Sequence, residues 1–440
     1  MVEIKPLNHK IWKLAWPAIL SNISIPILGL VDAAILGHLN GAQFLAAVAI
    51  GTSVLSFLYW GFGFLRMGTT GLIARAFGAE NWLLAQKLLV QSLSLALALG
   101  IAVILSKPLW AVFGLSLIAP DANLRSLAAQ YIDIRAFSAP AVLLNYAIIG
   151  WFIGRQNTRW PMYFIATTNL INIGLDFLFI VGLNLGSDGA ALATLIAEYC
   201  GCILALWALS KYRVIYKRSV IWQQIIRLRD YHQLLITNQY LFLRTVFLLF
   251  SFAFFTAMSG HLGTNILAGN AILLNLLLLA SYGLDGFAHA AEALCGHSIG
   301  SGDTREFKFL VKICALWTAG TAAVFSAIFA LTSSVIFPLF TNLNTVLEVL
   351  HTHKYWVVVI PMLASTSYLL DGVFIGSGKS KQMMQTMLFS SLLVYLPLWY
   401  YLQPWGNHGL WLAFAGFNTA RGASLLWCYW KIEKSGSWVL

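Results

Sequence analysis

The chain has 440 residues, 59% of them hydrophobic and only 10% charged, and its mean hydropathy is +0.77. A soluble domain carries roughly 25% charged residues, so this composition excludes a soluble protein and places the chain in a bilayer. The formal net charge of +11 then reads as membrane topology and lipid-headgroup contact, with no nucleic-acid partner implied.

The N-terminus shows no short charged-apolar-small leader and is expected to be uncleaved. Apolar stretches of roughly 20 or more residues predict twelve spans, at 11–38, 44–74, 86–113, 126–153, 161–184, 188–210, 236–260, 266–296, 309–338, 347–376, 382–403 and 407–430. Charge tests that count independently. With the N-terminus inside, twenty of the twenty-seven Lys and Arg residues fall in inner segments, three (Lys107, Arg125, Lys354) at outer ends, and four (Arg66, Arg135, Arg244, Arg421) within spans. The alternation fits the cytoplasmic excess of Lys and Arg. It predicts both termini in the cytoplasm and a multi-pass protein of the cytoplasmic (inner) membrane. The five cysteines all fall in apolar stretches without metal-ligand spacing, and read as small buried hydrophobes.

Span 1 contains "LVDAAILGHL", an acid in the middle of an apolar helix. Burying an ionised acid there costs roughly 2.5–3.5 kcal/mol, while an intramembrane hydrogen bond contributes about 0.6 kcal/mol, so Asp32 is a functional candidate. Pro26, six residues earlier, removes a helical hydrogen bond and permits a bend, which makes it a candidate hinge. In span 5, "TTNLINIGLDFLFI" places Asn169, Asn172 and Asp176 at i, i+3 and i+7 on one helical face. Helical rise puts Asp32, Asp176, Tyr131 of span 4 and Thr194 of span 6 at a common depth of roughly 10 Å below the outer surface. They are expected to form one polar chamber in the outer half of the first bundle. Two acids facing each other there cannot both stay ionised cheaply, so one should carry a proton.

After span 6 comes "KYRVIYKRSVIWQQIIRLRDYHQ", basic and amphipathic, which suits a linker on the inner leaflet. It separates two similar halves. "NYAIIGWFIGRQNT" at 145–158 aligns with "SYLLDGVFIGSGKS" at 367–380 at a constant offset of 222 (146 to 368, 150 to 372, 154 to 376). The expected domains are therefore a six-helix bundle over 1–210, a linker over 211–235 and a second six-helix bundle over 236–440. Six is even, so the repeat is parallel about the membrane normal, an arrangement found in transporters. The second half lacks the chamber residues: Asp32 aligns near Phe255, Asn172 with Val394 and Asp176 with Leu398. It carries its own charges instead. Asp285, His289 and Glu292 share a face of span 8, with Arg244, Asp371 and Arg66 at similar cytoplasmic-half depths. They are expected to form a salt-bridged cluster, since pairing is the usual way to bury ions; no partner is evident for Arg421.

The "LVDAAILGHL" of span 1, the N-x-x-x-D of span 5, the "GAALATLIAE" opening span 6 and the two six-helix halves together resemble the multidrug and toxic compound extrusion (MATE) family over essentially the whole chain. Span 7, "LRTVFLLFSFAFFTAMSGHLG", resembles the DinF branch, because sodium-coupled NorM relatives carry a glutamate near the position of Arg244. The resemblance implies an all-α membrane fold of twelve helices in two pseudo-symmetric bundles forming a V, and drug/proton antiport. It further implies proton coupling by first-lobe acids matching Asp32 and Asp176, with Asn172, Tyr131 and Thr194 at the accompanying polar positions. Asp371 falls where NorM-type members carry a cation-site acid, which keeps sodium coupling as the second reading.

Other constellations fail. "GSGKSK" at 376–381 has Val373 where a phosphate loop needs glycine, and His351 and His353 of "HTHKYW" face apart on a helix. No nucleophile or acid-rich metal motif argues for an enzyme. A lipid-linked oligosaccharide flippase of the same superfamily should line its cavity with Arg and Lys, whereas this chamber is acidic; a channel is a third class. The sequence thus predicts a monomeric proton-driven exporter of small amphipathic organic molecules, with lipids as neighbours and no cofactor beyond the ion gradient.

Overall fold

The computed structural model describes residues 4–37, 42–118, 122–212 and 231–438, and within these the chain is helical without strands. The first half comprises α1 (Ile4–Gly37), α2 (Ala42–Gly61), α3 (Phe64–Gly78), α4 (Trp82–Leu105), α5 (Lys107–Ile118), α6 (Ala122–Ala136), α7 (Ala139–Gly154), α8 (Arg159–Asp176) and α9 (Gly186–Lys211). The second comprises α10 (His232–His261), α11 (Thr264–Gly300), α12 (Thr304–Phe340), α13 (Asn344–Gly376), α14 (Ser380–Leu388), α15 (Leu396–Leu402) and α16 (Gly406–Ser435). Most of the predicted basic linker, 213–230, lies outside the described residues.

Among the described residues nine helical runs are long and apolar enough to cross a membrane, and Asn123–Ala136 with Ala139–Gly154 make a further span bent by 51°. Two predicted spans remain. The run 380–402 is interrupted by a wide π turn at Phe389–Tyr395, and α16 carries Asn407, Asn418 and Arg421 among its apolar residues. Together these are the twelve spanning elements of the fold. The chain divides into two compact units, one of Leu20–Ile73 and Asn81–Asn238, the other of Met1–Ile19, Ala74–Glu80 and Gln239–Leu440. The start of α1 and the end of α3 therefore join the second half, a division that hydropathy does not mark.

The sequence repeat reappears as repeated physical contacts. Asn81 caps α4 by accepting from Leu84 N at 3.0 Å, and Asp303, 222 residues later, caps α12 by accepting from Glu306 N at 2.8 Å. Each cap satisfies one of the amides that a helix start leaves without a partner. Gly150 and Gly154 bring α7 so close to α3 that a Cβ would stand 2.6 Å from the Arg66 carbonyl oxygen and 2.9 Å from that of Thr70. Gly372 and Gly376 do the same for α13 against the Ala288 and Glu292 carbonyls of α11, and 66 to 288 and 70 to 292 are again steps of 222. Without a hydrophobic driving force between helices in lipid, such small-residue contacts set how closely backbones approach.

The halves differ in what fills the space so framed. The second unit's core is aromatic, with Phe255 against Trp411 at 4.7 Å and against Phe414 at 5.1 Å between ring centroids. At offset 222 Asp32 corresponds to Phe254, packed edge-on to Tyr395 at 5.4 Å, and Thr194 to Gly416, whose missing Cβ leaves room for Leu398 at the place of Asp176. The first unit keeps polar groups at all three positions.

Candidate coupling site in the first repeat

The first repeat brings α1, α8 and α9 together around two acids. Asp176 is the last residue of α8, 1% exposed, and the chain continues directly into a π turn, Phe177–Gly182. Such wide turns recur at functional positions because they re-aim side chains and loosen the backbone ladder. Asn172, one turn earlier and fully buried, lies between Asp176 and α9. Its Nδ2 donates to Asp176 Oδ2 at 3.1 Å, and its Oδ1 stands 3.0 Å from the Thr194 hydroxyl. Thr194 Oγ1 also lies 2.9 Å from the Ala190 carbonyl. The i, i+4 spacing read from sequence is what allows one amide to serve both.

The second oxygen of Asp176, Oδ1, is buried with no N–H or hydroxyl donor to satisfy it. What Asp176 does have is Asp32, whose carboxyl forms a side-chain hydrogen bond with it. A bond between two carboxyls requires a proton on one, because two bare carboxylates at that separation in a medium of low dielectric repel strongly. Asp32 itself is only partly buried. The pair is thus an inner acid locked by Asn172 and an outer one with access to its surroundings.

Tyr131 is 4% exposed and its hydroxyl lies 3.1 Å from Thr52 Oγ1 of α2. It also hydrogen-bonds Arg135 one turn on, which stands within electrostatic reach of Asp32. Asn169 reaches α1, where it donates to Ser24 Oγ at 3.1 Å and Ser24 O at 3.3 Å. That bond ties α8 to α1. Arg135 was not singled out from sequence. Its position four residues after Tyr131, in the last turn of a helix otherwise read as a span, is the signal that marks it.

Two stretches of the chain, 17–178 and 241–401, match the MatE family. The chain belongs to the MatE family. It is 35% identical over 442 aligned positions to the DNA damage-inducible protein F of Escherichia coli (strain K12), covering 100% of this chain and 95% of that protein. It is 28% identical to Protein DETOXIFICATION 44, chloroplastic, of Arabidopsis thaliana, over 99% of this chain and 84% of that one. Its fold matches the crystal structure of a MATE in the bent conformation, with a TM-score of 0.86 at 21% identity over 99% of this chain and 98% of that one. The protein is accordingly a multi-pass membrane transporter of the MATE class.

Within the MatE fold the second unit holds a separate ionic cluster, and its membership differs from expectation. Asp371 Oδ2 accepts from Arg244 Nη2 and, at 2.9 Å, from Arg421 Nη2. Arg421, for which the sequence offered no partner, is the second arginine on Asp371. The reason is register: α16 packs on α13 with Arg421 opposite Asp371, and no periodicity along either helix reveals that. All three side chains are buried, with at most 8% of each residue exposed. Asp285 lies beside Tyr282 and Tyr368, and Glu292 is 1% exposed in the α11–α13 contact, with His289 one turn away on the same helix. His353, 7% exposed, lies with its ring 4.3 Å from that of His408 and its Nδ1 2.8 Å from the Val349 carbonyl oxygen, while His351 meets the Phe337 ring. Among the described residues no group of three or more His, Cys, Asp or Glu side chains could hold a metal ion. The five cysteines are free, three of them buried.

Proposed function

We propose that the chain is a proton-coupled secondary antiporter that exports small amphipathic organic compounds, cationic or neutral, across the cytoplasmic membrane, with both termini inside. The carrying observation is the hydrogen-bonded Asp32–Asp176 pair, present in one repeat only and locked by Asn172 and Thr194. A carboxyl pair that shares one proton can take up a second and release it again as its surroundings change, which is what a proton-carrying site needs. The relatives' names, a DETOXIFICATION protein among them, support export of foreign compounds, and a chamber with few polar groups suits substrates that vary in shape.

In the cycle, protonation of the pair neutralises the pocket and closes it around α1; deprotonation restores charge and opens it to substrate. Pro26, lacking an amide hydrogen six residues from Asp32, is where α1 bends between those states. Sodium coupling finds less support. Asp371, the acid at which it would act, already has Oδ2 bonded to two arginines, and a further positive charge there would meet their repulsion. Proteoliposomes with imposed gradients test the reading. Efflux should follow a proton gradient with the sodium concentration equal on both sides; efflux driven by sodium alone would overturn it.

A further inference from the structure

The first unit holds another acid, one turn beyond Thr194 on the same face of α9. Glu198 is partly buried and accepts a hydrogen bond from the Asn145 side chain of α7. The titratable groups that face it are Arg135 from α6, Tyr59 from α2, Tyr146 from α7 and, on its own helix, Cys202. Arg135 is the cation among these, and it is the same arginine that stands within reach of Asp32.

Arg135 is 9% exposed and fixed from several sides. Its Nη1 donates to Ser138 Oγ at 3.0 Å, it hydrogen-bonds Tyr131, and the Tyr59 hydroxyl lies 3.1 Å from Ser138 Oγ and 3.3 Å from the Arg135 carbonyl oxygen. It sits at the end of α6, where the span bends by 51° into α7. Tyr199, the neighbour of Glu198, donates its hydroxyl to the Phe137 carbonyl at 3.0 Å, which ties α9 to the same break. One fixed positive charge therefore stands within electrostatic reach of both carboxyl sites. A cation shared in this way favours the ionised form of whichever site has lost its proton, so a proton on one site eases release from the other.

Resting on the proton-coupled reading above, we propose that Glu198 is a second proton-carrying residue, through which the coupling proton passes between the Asp32–Asp176 pair and the C-terminal end of α9, with Arg135 as the cation that both sites share. In the transfer the proton leaves a carboxyl of the aspartate pair and binds the Glu198 carboxylate. The pair, which enters the step with two protons, is left sharing one opposite Arg135, and Glu198 is neutral until it releases the proton. No other bond is made or broken.

The test uses purified protein in proteoliposomes with ethidium as the probe, measured three ways: accumulation driven by a pH gradient, ethidium exchange at equal pH, and the pH profile of exchange. Glu198→Gln should lower gradient-driven accumulation about tenfold or more while exchange stays within twofold of wild type. Glu198→Asp should restore coupling. Asn145→Leu, which leaves the acid in place and removes its hydrogen bond, should move the pH profile by about one unit without slowing exchange at its optimum. Wild-type coupling and an unmoved pH profile in Glu198→Gln would overturn the inference alone, and equal loss of exchange and coupling would assign the residue a structural role. Should Glu198→Gln yield no folded protein, an unmoved profile in Asn145→Leu overturns the inference equally. A wild type driven only by sodium would remove the underlying reading before any variant is made.

Discussion

Replacing Asp32 by asparagine should sever transport from the proton gradient and leave the protein folded. On the proton-coupled reading Asp32 and Asp176 share one proton in the wild type, so the pair carries a single negative charge. In Asp32→Asn an amide N–H takes the place of that proton against Asp176, the Asn172 bond to Asp176 Oδ2 at 3.1 Å is untouched, and the charge of the pocket is the same. One hydrogen bond of about 1 kcal/mol is exchanged for another, so the melting temperature of detergent-solubilised protein should move by only a few degrees. Coupling responds differently, because an amide has no proton to release. One pH unit across the membrane is worth about 1.36 kcal/mol per proton, which is about tenfold in concentration. Wild-type proteoliposomes that move one proton per substrate should hold about a tenfold substrate ratio under that gradient, and Asp32→Asn a ratio near one, normalised to monodisperse protein. A ratio near tenfold in the variant would refute the reasoning. So would a fall in stability with transport per folded molecule unchanged, since that is the signature of a structural aspartate.

Asp176→Asn should uncouple in the same way, read by the same ratio. Pro26→Ala should retain folding and ethidium binding yet slow turnover several-fold; unchanged rates would reduce the proline to a packing detail. Asp371→Asn leaves two buried guanidinium groups with a weaker partner and should cost about 3–5 kcal/mol of stability, read as a lower melting temperature, with proton coupling per folded molecule retained. Loss of coupling in that variant alone would move the site to the second unit. Gly150→Ala puts a Cβ 2.6 Å from the Arg66 carbonyl oxygen, and should destabilise by about 1–3 kcal/mol, with Gly372→Ala costing a similar amount.

Much of the fold could be read from the chain because lipid imposes a simple rule: a span must be long and apolar, and among the described residues nine helical runs and one bent pair are. The repeat was legible because its glycines and caps recur at one offset. The grouping of Asp32, Asp176, Asn172 and Thr194 followed from helical rise and spacing, which fix depth and face. What periodicity cannot give is rotation and register between helices distant in sequence. That is why neither the bond of Asn169 to Ser24 nor the meeting of Arg421 with Asp371 could be read from the chain. The π turn at Phe177–Gly182 opens without a proline to announce it, whereas the break at Phe137–Ser138 has its signal in Pro140, in the first turn of α7.

The glycine contacts at Gly150, Gly154, Gly372 and Gly376 have a bearing on how such a protein can change over generations. In each repeat the distance between two helices is set by backbone against backbone, so it does not depend on which side chains occupy the space beside them. A duplicated bundle held in that way can trade aspartate for phenylalanine, or threonine for glycine, in one copy without shifting its frame. Tolerance of that kind lets one copy specialise in carrying ions while the other drifts toward an aromatic interior, and it predicts that homologous variation will concentrate in the pockets and spare the glycine seams.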